Sequence, residues 1–103
     1  MDDILIDVKK NLILEHSEDD DLLMGFISAA IAYAEKYQHL KDDFYKENDI
    51  SLTTRQAVIM LASHLYESRD GATAGFYADD TGAAQQVWNT VNMLLRLDRN
   101  WEV

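Results

Sequence analysis

The sequence predicts an all-α domain: a small bundle of about four helices with a long loop between the third and the fourth. Three observations lead there. Apolar residues recur at three- and four-residue spacing through most of the chain. There is no proline, and three of the four glycines (Gly71, Gly75, Gly82) fall in one stretch, marking a single break. Finally, 103 residues suffice for one core, so positions 1–103 are read as one domain.

The first helix is expected over about residues 3–13, where Ile4, Leu5, Val8 and Leu12 line one side and Lys9 and Lys10 the other. Asp2 and Asp3 suit its positive N-terminal end. Its far end is ambiguous, because Leu12-Ile13-Leu14 would fit a strand equally well. The second helix opens after the acid run Glu18-Asp19-Asp20-Asp21, with Ser17 or Asp19 as cap. Leu23, Phe26, Ile27, Ala30, Ala34 and Tyr37 then form one apolar face out to Gln38. From His39 to Leu52 the period dissolves into a polar connector, with room for one irregular helical turn tethered by Phe44 and Tyr45.

Thr53 and Gln56 stand at capping-box spacing, which predicts the start of the third helix. Its stripe of Ala57, Val58, Leu61, Ala62, Leu65 and Tyr66 runs on to Asp70, and Gly71 supplies the stop. Residues 71–82 read as a loop of small residues with Phe76 and Tyr77 at its centre. The last helix is expected over about residues 83–97, burying Ala84, Val87, Trp88, Val91, Leu94 and Leu95. A polar tail follows, broken only by Trp101. Helices two and three are expected to form the core in antiparallel fashion, with helix four closing it and helix one at the flank.

The charge balance narrows the function. Nineteen Asp and Glu against nine Lys and Arg give a net charge of −10. General affinity for nucleic acid or anionic membranes needs clustered basic residues, and this chain has the opposite balance. No apolar stretch is long enough to span a bilayer, and the start Met1-Asp2-Asp3-Ile4 lacks the basic character of a signal peptide. Without cysteine there are no disulfides, no thiolate chemistry and no cysteine-ligated zinc.

His16, His39 and His64 lie in separate segments without a metal-ligand spacing, although His39 lies near Asp42 and Asp43. No serine sits in a nucleophile elbow, and the glycines at 71, 75 and 82 lack the lysine of a phosphate loop. No catalytic residue, cofactor or metal site is therefore expected. The polar cluster His64-Leu65-Tyr66-Glu67-Ser68-Arg69-Asp70 reads as a helix-end ion-pair network or a subunit contact, since Tyr and Arg favour interfaces. Phe76 and Tyr77 must fold back on the core or meet a partner. Tyr66, Arg69, Phe76, Tyr77 and Trp101 are accordingly the candidate contact residues for subunits or partners.

Taken in order, these residues resemble a family. Asp7-Val8-Lys9 with Leu12 is followed by the acidic turn Glu18 to Asp21 with Leu22-Leu23, and then by Tyr33-Ala34-Glu35-Lys36-Tyr37. Gln56-Ala57-Val58 leads to Ala62-Ser63-His64-Leu65-Tyr66-Glu67-Ser68-Arg69, and Val91 to Leu94-Leu95-Arg96. The chain is similar along nearly its whole length to the small head–tail connector (adaptor) proteins of long-tailed bacteriophages and prophages. The most specific element is His64 to Arg69, where relatives tend to have Trp at position 65 and Asn at position 68; relatives also often carry prolines after position 37.

The resemblance implies a structural role without catalytic residues or cofactor. Such proteins form a homo-oligomeric ring, usually dodecameric, beneath the portal protein of the DNA-filled head. They extend the channel and meet the next connector, a stopper or the tail. The implied location is the virion head–tail junction, after a stay in the bacterial cytoplasm before assembly, with no membrane partner. DNA would pass without specific binding, because an acidic channel repels phosphates. Two other classes compete with this: an acidic DNA-mimic inhibitor, and a small helical regulatory protein. An enzyme using His39 or His64 with a metal ranks last.

Overall fold

The computed structural model describes residues 2–68 and 81–98, and among them the chain forms five helices and no strand. In order they are α1 (Asp2–Leu12), α2 (Asp20–Tyr37), the single turn α3 (Phe44–Glu47), α4 (Leu52–Ser68) and α5 (Thr81–Leu97). The stripes expected from the spacing are the faces that meet. Leu23, Ile27, Ala30 and Ala34 of α2 are buried against Ala57, Val58, Leu61 and Ala62 of α4, with Val91 and Leu95 entering from α5 and Ile4 and Val8 from α1. The alanines let the α2 and α4 backbones approach closely, and each buried Leu, Ile or Val contributes about 1.5–3 kcal/mol.

The long helices alternate up and down, as side chains at both ends show. Gln38, just past α2, meets Thr54 at the start of α4, while Tyr66 near the end of α4 meets Asp19 at the start of α2. Asp98, just past α5, also reaches Thr54. Thus α2 and α4 form the antiparallel centre, α5 closes one side, and α1 packs on α4 and α2 from the other. Among the described residues α1 and α5 do not touch.

The ends of the elements depart from the expectation in instructive ways. The ambiguous stretch after Leu12 is no strand. The amide of Leu14 donates to the Lys9 carbonyl (2.9 Å) and that of Ile13 to Lys10 (3.2 Å), a Schellman closure with Ile13 in the left-handed region at φ 58°. His39 closes α2 in the same way at φ 62°, with the Leu40 amide on the Glu35 carbonyl. Glycine is the usual residue at such a position, and a β-branched side chain there is strained by roughly 1–2 kcal/mol. The capping box of Thr53 and Gln56 is not formed. Helix α4 begins one residue earlier than expected, and Ser51 caps it, its Oγ accepting from the Thr54 amide at 3.2 Å. At α2 the capping residue is Asp19, but its carboxylate turns away from the helix amides to accept from Tyr66. Thr81 and Gly82, expected in the loop, belong to α5, while residues 71–80 lie outside the described residues.

Two substitutions isolate backbone terms from packing. Ile13→Gly removes a strained conformation at an exposed position, and Gly25→Ala removes helix-interior glycine entropy where an added Cβ meets nothing within 4 Å. Each is expected to raise the unfolding free energy by about 0.5–1 kcal/mol, read as a higher urea midpoint at unchanged slope.

Candidate functional site

The most elaborate polar construction in the molecule sits where α2, α3, α4 and α5 converge. Gln38 continues the i, i+4 stripe of Ile27, Ala30 and Ala34 and is completely buried. Its amide nitrogen donates to Thr54 Oγ1 (2.8 Å) and to the Leu95 carbonyl (3.1 Å), and its oxygen accepts from the Tyr45 hydroxyl. Thr54 passes the chain on, donating at 2.8 Å to Asp98 Oδ2, which also accepts from Ser51 and Thr53. Every polar atom of the Gln38 side chain group is thereby used, which is the condition for a buried polar network to stabilise. Burial pushes the Tyr45 hydroxyl above its ordinary value, aided by the nearby Asp98 and Glu35 carboxylates and opposed by hydrogen bonding to Thr54. Burial also acts to raise Asp98, but the Ser51, Thr53 and Thr54 hydroxyls together with the Thr54 amide prevail and hold its carboxyl below the ordinary value.

Two further ties fix the flanks. Arg55, at the start of α4, forks onto α1, meeting Asp3 at 2.7 Å and Asp7 at 2.5 Å. Hydrogen bonding to Arg55 is the main reason the Asp3 carboxyl lies below its ordinary value. At the other end Lys9 pairs with Asp20 at 2.9 Å, and Asn11 donates to Ser63 Oγ at 2.9 Å. On the α2/α5 side Tyr33 donates to Asn92 at 2.6 Å and meets Trp88 edge-on at 5.4 Å, with His64 across Trp88 at 6.3 Å.

A cleft of about 440 Å³ between α2 and α3 is lined by Ser28, Ile31, Glu35, Tyr45 and Lys46. The Glu35 carboxylate beside it is already committed, accepting from the Asp43 amide (3.3 Å) and the Tyr45 amide (2.9 Å) to cap α3. Among the described residues no three His, Asp or Glu side chains gather as a metal cluster, and no helix is long and apolar enough to cross a membrane.

Of the contact residues named from the sequence, Tyr66 is buried, its ring in the core and its hydroxyl on Asp19. Arg69, Phe76, Tyr77 and Trp101 lie outside the described residues. The residues missed were Gln38, Thr54 and Asp98. The first two carried a signal, each being a polar residue in register with an apolar stripe; Asp98 carried none, since its partners are more than forty positions away.

Charge is distributed by position in the bundle. Glu15, Glu18, Asp19, Asp20 and Asp21 crowd the α1–α2 turn, and Asp42, Asp43, Glu47 and Asp49 crowd the opposite end. The flanks are neutral by comparison: α5 holds no Asp or Glu between Thr81 and Leu97.

The described residues thus form a helical unit with acidic ends, an α5 flank without carboxylates and a junction spent on internal hydrogen bonds. The family model for phage gp6-like head-tail connector proteins matches residues 2–99, and the chain belongs to that family. Its role is that of a phage structural connector at the virion head–tail junction. No curated protein and no solved structure matches the chain.

The Asp98 clasp has a pH signature. A carboxyl held below its unfolded value binds fewer protons when folded, so its contribution is complete above about pH 4 and is lost as pH falls through the folded value. Asp98→Asn is expected to lower stability by at most about 1 kcal/mol at pH 7, a modest figure because the group is exposed. The gap from the parent should close below about pH 3, as read by urea unfolding at each pH.

Proposed function

We propose that this connector assembles as a closed ring beneath the portal, continuing the DNA channel and presenting a surface to the next connector or the tail. Membership in the connector family along residues 2–99 is the observation that carries the reading. The charge layout supports it. Each copy carries −10, concentrated at the two ends of the bundle, so a ring of copies would repeat acidic surface around an axis. Such a lining repels phosphates and lets a duplex slide without sticking. The same layout weighs against a DNA mimic, which needs carboxylates spread along one face. The dodecameric count, the portal as upstream partner and residence in the cytoplasm before assembly are parts of this proposal. Phe76 and Tyr77 in segment 71–80, Arg69 before it and the tail with Trp101 remain its proposed partner contacts, while Tyr66, buried in the core, does not.

Native mass spectrometry across protein and salt concentration tests the reading, with and without a cognate portal ring. The expected result is one closed species of about a dozen copies, favoured by salt because screening eases repulsion between copies. A fixed dimer that ignores the portal would instead place the chain among small helical regulators.

A further inference from the structure

One buried carboxylate lacks a cation. Glu35 is only 4% exposed, yet the ion pairs among the described residues all form elsewhere. The two lysines nearest in the connector are taken, Lys46 by Asp43 at 3.5 Å and Lys41 by Glu47 at 3.3 Å. Capping α3 meets part of the need: Glu35 Oε1 accepts from the Asp43 amide and Oε2 from the Tyr45 amide. A carboxylate offers about four acceptor sites, so each oxygen keeps one in reserve. A charge withdrawn from water is costly unless it is both paired and hydrogen-bonded, and here only the second condition is met.

Glu35 lines the 440 Å³ cleft between α2 and α3. Short side chains keep that space open, because Ser28 and Ala32 stand one turn apart on the α2 face that borders it. Ile31 and Tyr45, whose hydroxyl is donated to Gln38, give the cleft apolar surface.

We infer that this cleft receives an arginine side chain from a protein partner, its guanidinium on Glu35 and its methylene stem along Ile31, Ala32 and the Tyr45 ring. One open acceptor site on each carboxylate oxygen matches the two parallel N–H groups of a guanidinium fork, whereas an ammonium is a point donor. The planar head also stacks on aromatic faces, and Tyr45 offers one. Charge complementarity sets the kind of partner. The cleft lies at the end that gathers Asp42, Asp43, Glu47 and Asp49 against Lys41 and Lys46, and such a surplus attracts a basic segment. A second copy would bring a further −10 towards that end, so the occupant is a different protein. The site is independent of ring closure, and it shares no residue with the partner contacts proposed above.

Methyl-labelled isoleucine puts one NMR reporter, Ile31, in the cleft and another, Ile13, near Glu15 at the opposite acidic end. The probe is a blocked three-residue peptide with a central arginine, titrated at about 0.15 M salt so that diffuse attraction is screened. The Ile31 signal should move to saturation while Ile13 stays in place. A citrulline peptide, alike in shape but uncharged, should bind about tenfold or more weakly. Glu35→Gln should show a similar loss. So should Ala32→Phe, which fills the cleft and removes no capping atom, and which decides the matter if Glu35→Gln unfolds. Equal movement of Ile13 and Ile31 overturns the site, as does full binding by the citrulline peptide or by Ala32→Phe. Saturation by putrescine where the arginine peptide has no effect gives the cleft to a free polyamine and removes the protein partner. Native mass reads the ring separately, so either conclusion can fail without the other.

Discussion

The arrangement of this domain depends on one buried amide. Gln38 lies at the end of the α2 core stripe, and its three hydrogen bonds reach α3, α4 and α5 at once. An apolar residue there would leave the Thr54 hydroxyl with one partner fewer and the Tyr45 hydroxyl without its acceptor in the core, at a cost of about 1–3 kcal/mol for each buried group left unpaired. The network sets register more than it adds stability, because hydrogen bonds, unlike apolar contacts, specify which atoms must meet. Through Thr54 it continues to Asp98, so the last turn of α5 is clasped to the first turn of α4 by a carboxylate that assists the Ser51 cap.

Everything beyond that junction follows from how the flanks are tied. Arg55 is the counterpart of Gln38 for α1, one guanidinium forking onto two carboxylates a turn apart, Asp3 and Asp7. The fork neutralises part of α1 and so leaves the acidic surplus at the two ends of the bundle. Charge is thereby sorted by position, acidic at the two ends and free of carboxylates along α5 between Thr81 and Leu97.

The helices and their buried faces were legible in the sequence because packing obeys one period: Leu23, Ile27, Ala30 and Ala34 announce their face without reference to anything else. The expected roles of helices two to four and the flanking first helix also match the observed centre of α2 and α4. Caps were harder, since Ser51, Thr53 and Thr54 offer three neighbouring hydroxyls of equal local merit. A carboxylate from the far end of α5 decides among them, binding all three side chains and leaving the cap to Ser51. Long-range polar pairs such as Tyr66 with Asp19 are invisible to periodicity for the same reason. Tyr66 was marked for its polar neighbours, yet the apolar stripe it also belongs to governs its ring, which is buried.

Ile13 is where local geometry and residue choice disagree. The Schellman closure formed by the Leu14 and Ile13 amides on the Lys9 and Lys10 carbonyls favours glycine, yet a β-branched residue stands there in the left-handed region and is exposed. A strain of about 1–2 kcal/mol is thus held at a helix end whose side chain buries almost nothing, while the same closure at the end of α2 is made by His39.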